Sequence, residues 1–394
     1  MNLKLFLIGM TLLAVVSDSM LHPFFPQFFK GTFGVSDPKH VGYYIAAMCF
    51  TVMVAFPLWA FVTKRVAELK LLVYTQLAAG LLCVYCFRIN SLALFWVISL
   101  TMIVFKGSYL LIYPYVMSLV EKENHTSTVG LLSVVVHFGS ILGAILGGAA
   151  VDSFNPKFIF LVMAAGDFIQ MAVSFYLLRS SRYNTDYKLP DEPTEKSDLL
   201  PKDFILKLGL ITMILYGSAY MIRPFFSVYW EAISSYDSKI VSGSMYALPA
   251  LVALVALWLD HRKILAKDGF NAIIPSIILG VAGLLLQGSQ VAWVIIVGRL
   301  IYGWAIYHAV IKFDVLLFEL STPKAYATDY SKIHFFQNLG VLITSFGVGV
   351  MVDQYGLVIP FWIAGAGFLI TLSLYCLVFK SSREGLGKPS ISNQ

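Results

Sequence analysis

Stretches of about 20 mostly apolar residues recur along the entire chain, near 3–28, 40–62, 69–88, 92–119, 129–151, 158–178, 206–230, 241–259, 270–287, 291–317, 331–352 and 357–379. A helix of that length spans about 30 Å, the thickness of a bilayer's hydrocarbon core. Lipid offers no partner to an open backbone, so segments of this kind must satisfy their hydrogen bonds internally, as helices. Twelve of them predict an all-α integral membrane protein. Composition agrees. The 394 residues are 58% hydrophobic and 13% charged, with a mean hydropathy of +0.78. A soluble domain carries about 25% charged residues and needs them to cover its core. The first stretch is longer than the apolar core of a signal peptide, contains Asp18 and precedes no small-x-small cleavage site, so it reads as the first span.

One long polar segment, rich in charge and proline, divides the spans six and six: SSRYNTDYKLPDEPTEKSDLLPKD, 180–203. The expected organisation is an N-terminal six-helix bundle (1–180), a cytoplasmic linker (181–204), a C-terminal six-helix bundle (205–380) and a cytoplasmic tail (381–394). Most of the 28 basic residues lie at the N-terminus, in the loops 63–70, 120–128, 179–207, 260–269 and 320–332, and in the tail. The opposite loops hold Lys30, Lys39, Arg88, Lys157 and Lys239. Positive charge stays inside, which predicts cytoplasmic termini. Cys49, Cys83, Cys86 and Cys376 all fall in apolar segments and read as buried small hydrophobes, including the Cys83-x-x-Cys86 pair. No residue cluster calls for a metal or a cofactor, and nothing points to nucleic acid; the expected state is a monomer in membrane lipid.

The two halves are repeats. His22-Pro23-Phe24-Phe25 aligns with Arg223-Pro224-Phe225-Phe226, an offset of 201 residues. At the same offset Gly139, Gly148, Val151 and Asp152 align with Gly340, Gly349, Val352 and Asp353. Span two resembles span eight at a nearby offset, with Met48 and Arg65 matching Met245 and Arg262. Two parallel halves are the architecture of a transporter whose site lies where they meet.

Charged groups inside spans are costly and mark pairs, cavities or pathways. Asp18 lies deep in span one, and His22 falls four residues on, the same face of a continuous helix. An Asp–His pair can hold a proton near neutral pH; the alternative is a structural carboxylate bonded to Ser17, Ser19 or the backbone. Arg223, the repeat partner of His22, can bind an anionic group of a substrate, balance Asp18 or form a structural ion pair. Lys106 in span four is too deep to snorkel easily and reads as a second substrate cation. Arg299 in span ten is a third candidate, or a packing residue against Gly303. Phe25, Tyr113 and Phe226 are candidate aromatic lining. Asp167 is either cavity lining or helix glue with Gln170. Cationic and imidazole groups outnumber acids within the spans, which favours an anionic or zwitterionic solute.

The sequence resembles the major facilitator superfamily over essentially its whole length. Gly139-x-x-x-Gly143-Ala144-x-x-Gly147-Gly148 is similar to the fifth-span motif of that family's exporters, with alanine in place of the usual proline. Asp18-x4-Pro23-x-x-Pro26 resembles the first span of proton-coupled drug exporters, and Arg299-x-x-Tyr302-Gly303 an element usually found in span four. The loop AFVTKRVAELK, 60–70, keeps positive charge but lacks the acid and the glycine of the family's pattern. The resemblance implies two pseudo-symmetric bundles and alternating access. It also implies a glycine strip that packs on a span of the other half and closes the cytoplasmic side. The implied function is export of a small anionic or zwitterionic metabolite in exchange for protons, in the manner of carboxylate-siderophore exporters. A proton symporter of an organic anion, sugar or peptide and a multidrug efflux antiporter are the alternatives. The segments hold no nucleophile–base pair, so an enzyme is not expected.

Overall fold

The computed structural model describes residues 3–63, 65–112, 115–116, 125–180, 202–236, 238–260, 273–320 and 326–386. Tyr113 and most of the linker and tail lie outside these residues. Everything described is helix or short connection, with no strand among the described residues. Eleven helices are long and apolar enough to cross a membrane, and a twelfth, shorter one is described over Ile273–Gln287. Large apolar side chains such as Phe50, Leu81, Val97, Trp293, Ile343 and Leu377 point outward. That surface would aggregate in water and is matched to acyl chains.

The first six spans run Leu3–Ser19 continued by His22–Phe24 and Phe25–Phe33, then Pro38–Val62, Glu68–Arg88, Leu92–Lys106 continued by Gly107–Leu111, His125–Ser153 and Phe158–Arg179. The second six run Lys202–Met221 continued by Phe226–Ile233, then Lys239–Asp260, Ile273–Gln287, Ala292–Leu320, Tyr326–Tyr355 and Ile359–Leu386. Spans one and seven break at equivalent places. Pro23 and Pro224 have no N–H to donate and their rings crowd the preceding turn. Phe24 and Phe225, just after them, take matching backbone angles of φ −120° and −114°.

The halves meet through two crossings that are copies of each other. In one, span five crosses span eight: Gly148 lies against the backbone of Lys239 and Ile240, and Gly243 against the carbonyl of Ala144. In the other, span eleven crosses span two: Gly349 lies against Pro38 and Lys39, and a Cβ on Gly42 would sit 2.8 Å from the Ser345 carbonyl oxygen. Each of these pairs, 42/243, 144/345 and 148/349, is 201 residues apart. The repeat register therefore holds in spans two and eight as well. The nearby offset suggested by Met48 and Met245 is incorrect; the backbone needs a glycine at 42 and 243, and this fixes the register, while Met48 and Arg65 do not.

The glycine strip of span five also departs from expectation. Cβ atoms on Gly139, Gly143 and Gly147 would fall 3.0 Å from Val15, 2.7 Å from Ser19 and 2.8 Å from the Met20 carbonyl carbon, all in span one of the same half. Small residues let two backbones approach, and here three of the four glycines seat span one within its own bundle. Of the strip, Gly148 touches the other half, as does the Ala144 carbonyl beside it, at the end of the molecule away from the termini.

Candidate functional site

At that same end, polar groups lock the halves. Asp152, at the C-terminal end of span five, accepts from Ser238 Oγ (2.9 Å), Lys239 N (2.9 Å) and Ile240 N (3.1 Å). These amides open span eight, so Asp152 caps in trans a helix whose first turn has no intrahelical acceptors. In the repeat, span two begins with its own cap, since Asp37 Oδ1 accepts from Lys39 N at 2.8 Å. Asp353 is thereby left for the side chain of Lys39, 2.8 Å away. Gln27 Nε2 donates to Glu231 Oε1 across the halves at 3.1 Å, and Glu231 also pairs with Lys239 at 2.9 Å. The match of Asp152 with Asp353 in the repeat is the sequence signal for this lock, although it carries no hint of what the two acids bind.

Deeper in the N-terminal half, three charges from three spans converge. Lys106 Nζ lies 3.1 Å from Asp18 Oδ1 and 3.1 Å from Asp167 Oδ1. Lys106 ends the α-helical part of span four, where the chain tightens into a 3-10 turn from Gly107. Burial separates the two acids: the Asp167 side chain is 0% exposed, Lys106 6% and Asp18 26%. Cys83 Sγ donates to the other oxygen of Asp167 at 3.4 Å, and Tyr109 reaches Asp18. Lys106 is therefore held by two carboxylates of its own half, in contrast to its expected place as a substrate cation. Asp167, read as lining or helix glue, is one of its anchors.

His22 lies outside the α-helix that carries Asp18. The helix ends at Ser19, and Pro23 draws His22 into a 3-10 turn. His22 is exposed while Leu21, Pro23, Phe24 and Phe25 around it are buried, and Arg223 is exposed among buried neighbours in the same way. The charges of both Asp18 and Arg223 reach His22. The two repeat-related residues are thus both exposed, and the charge of Arg223 reaches His22. Arg223 stands 5.7 Å from the Tyr220 ring centroid and has no carboxylate partner among the described residues. Tyr216, Tyr220 and Tyr246, all partly exposed, surround it, and His137 of span five is within reach of its charge.

Arg299 is a packing residue. It is 3% exposed, donates to the carbonyls of Met245 (3.2 Å) and Tyr246 and to Gln287 Oε1 (3.3 Å), and stacks 3.8 Å from the centroid of Phe226. It joins spans seven, eight, nine and ten, and so differs from the substrate cation that its sequence context suggests. Phe226 is buried beneath it, and Phe25 is buried against Tyr44 and Phe29. Neither phenylalanine lines an open space.

The Major Facilitator Superfamily profile matches residues 7–286. The chain belongs to the major facilitator superfamily. Solved structures of that fold superpose along its whole length. A point mutant of the nucleoside transporter NupG gives a TM-score of 0.77 at 12% identity, covering 96% of this chain and 100% of its own. A bacterial homolog of the human lysosomal transporter Spinster, inward-facing and occupied, gives 0.76 at 12% identity, covering 98% of each chain. The human organic anion transporter MFSD10 gives 0.70 at 14% identity, covering 95% of this chain and 100% of its own. At such identities the likeness is one of fold. No curated protein matches the chain significantly by sequence. As a member of the major facilitator superfamily, the protein is an integral membrane transporter of a small molecule and not an enzyme.

Proposed function

We propose that this transporter is a proton-coupled carrier of a small organic anion, working by alternating access at a site between the halves. The observation that carries the reading is the contrast between its two arginines within spans. Arg299 spends its donors on the protein. Arg223 is exposed, has no carboxylate partner among the described residues, and shares its space with His22 and three partly exposed tyrosines. A guanidinium kept without a counter-charge in a low-dielectric surround favours an anion strongly and a carboxylate by geometry. Asp18 supplies the ionisable carboxylate, at the edge of the same space and a quarter exposed. The excess of basic residues in the loops on the terminal side supports cytoplasmic termini, and hence a cavity that faces the cytoplasm when the opposite end is locked.

Export of a carboxylate siderophore and import of a simpler organic anion are both movements of one solute class through one site. A carboxylate solute is the chemistry that Arg223 and the tyrosine hydroxyls suit. The test is transport in proteoliposomes with benzoate, lactate and citrate as probes. Wild type is expected to carry at least one of them with a pH gradient, and Arg223→Gln to lose that transport while keeping its fold. Equal transport by Arg223→Gln, or carriage of cations alone, would rule the reading out.

A further inference from the structure

Four tyrosines lie within reach of the Arg223 charge, and their hydroxyls are of two kinds. Tyr302 is buried, and its hydroxyl donates to the Ala219 carbonyl at 3.4 Å. Tyr216, Tyr220 and Tyr246 are partly exposed, and their hydroxyls meet no hydrogen-bond partner among the described residues. A phenolic hydroxyl both donates and accepts. Three of them beside a guanidinium without a carboxylate are a hydrogen-bonding set left open to a ligand.

Span seven sets their spacing. Its other faces are taken: Gly217 packs on Gly340 and Thr344 of span eleven, Ser218 on Gly367 of span twelve, and the Ala219 carbonyl holds the Tyr302 hydroxyl of span ten. Tyr216 and Tyr220, four residues apart, share the remaining face at about 6 Å along the axis. The helix ends at Met221, and the Arg223 amide donates to the Tyr220 carbonyl at 2.9 Å, which keeps Arg223 one turn beyond Tyr220. Its guanidinium stands 5.7 Å from the Tyr220 ring centroid. Arg223, Tyr220 and Tyr216 thus form a row about 10 Å long. Tyr246 of span eight lies within reach of both Arg223 and Tyr220. With a carboxylate on Arg223, an extended chain of about six carbons, at roughly 1.2 Å each, runs along that row.

Charge limits such a ligand to one carboxylate. The other basic side chains within the spans are engaged: Lys106 by Asp18 and Asp167, Arg299 by two carbonyls and Gln287, Lys312 by Ser276. The cluster around Lys106 sets two acids against one base, and the charge of Asp18 reaches His22, as that of Arg223 does. A second carboxylate would find no open guanidinium or ammonium among these residues and would face a surplus of acid. Resting on the proposed anion site, we infer that the solute is a hydroxylated monocarboxylate of about six carbons, in the chemical class of the sugar acids. Its carboxylate pairs with Arg223, and the hydroxyls of Tyr220, Tyr216 and Tyr246 bond its own and set the specificity.

Three probes separate hydroxyls from charge. Gluconate and hexanoate share a six-carbon chain and one carboxylate and differ in hydroxyls; glucarate adds a second carboxylate to gluconate. Each is titrated by calorimetry against the purified full-length protein near pH 7, where all are ionised. One hydrogen bond is worth about three- to tenfold in affinity, and two like charges about 10 Å apart at an effective dielectric of about 20 cost roughly tenfold. Gluconate is therefore expected to bind at least about tenfold more tightly than either hexanoate or glucarate. Tyr216→Phe/Tyr220→Phe/Tyr246→Phe removes three hydroxyls and little volume. It should lower gluconate to the hexanoate level and leave hexanoate unchanged. Hexanoate or glucarate binding as tightly as gluconate, or a triple variant that keeps the gluconate preference, would overturn the inference and leave the anion site standing. Failure of all three probes to bind would remove the anion site itself. The wild-type ratios decide the solute class, so the conclusion does not depend on the variant folding.

Discussion

Substituting Lys106 by methionine removes the single cation from a site with two carboxylates, one of them out of contact with water. Methionine matches the volume of the lysine stem, so the change is chiefly one of charge. Removing one partner of a buried pair costs about 3–5 kcal/mol because the other is left uncompensated. The two acids should differ in their share of that cost. Among the described residues Asp167, 0% exposed, keeps the Cys83 thiol alone, whereas Asp18 is 26% exposed and keeps Tyr109. Lys106→Met/Asp167→Asn should therefore recover most of the lost stability, and Lys106→Met/Asp18→Asn much less. Unfolding in mixed detergent micelles, with wild type and the three variants compared at one lipid content, gives the cycle. A single variant as stable as wild type, or equal rescue by the two second substitutions, would refute the picture of a partitioned cluster.

The two arginines give an independent contrast. Arg299→Gln should destabilise the protein by about 2–4 kcal/mol, through lost charge-assisted hydrogen bonds and stacking, whereas Arg223→Gln should move the thermal midpoint little; thermal unfolding of both in one detergent checks this. At the lock, Asp152→Ala should loosen the closed end more than Asp353→Ala, because the first removes three bonds to a helix N-terminus and the second an exposed ion pair worth about 0–1 kcal/mol. Thiol labelling of a cysteine placed at Gln27 reports the opening. Gly148→Val and Gly349→Val should each favour the conformation in which these crossings are apart, since a Cβ at either place meets backbone and not a movable side chain. The same labelling should rise in both, and more in the double substitution.

Much of this is written in the chain. The apolar lengths mark twelve spans, and one offset of 201 residues links Gly148 to Gly349 and Asp152 to Asp353, which are the contacts that lock the halves. Depth inside a span singles out Asp18 and Lys106, which the structure pairs at 3.1 Å. What one dimension hides is partnership. Asp18, Lys106 and Asp167 are far apart in sequence, and no periodicity relates a residue of span one to residues of spans four and six. Helical spacing puts His22 on the face of Asp18, but Pro23 ends that helix before the spacing applies. Arg223 and Arg299 look alike as arginines in apolar surroundings. Their difference lies in what neighbouring spans present: carbonyls of Met245 and Tyr246 to one, and partly exposed tyrosines to the other. The exporter-like glycines mislead for a related reason, since a flat strip states that something packs closely without stating what.

The paired crossings have a mechanical consequence. Two rigid bodies touching along a pair of matched seams, on either side of the centre, retain one easy relative movement: a roll about the line between the seams. Sliding would drive a Cβ-free backbone into a neighbour's carbonyls at both seams, and twisting would open one seam while crushing the other. On the proposed alternating-access reading, a solute held midway between the seams is where that roll displaces least while the walls above and below it swing furthest.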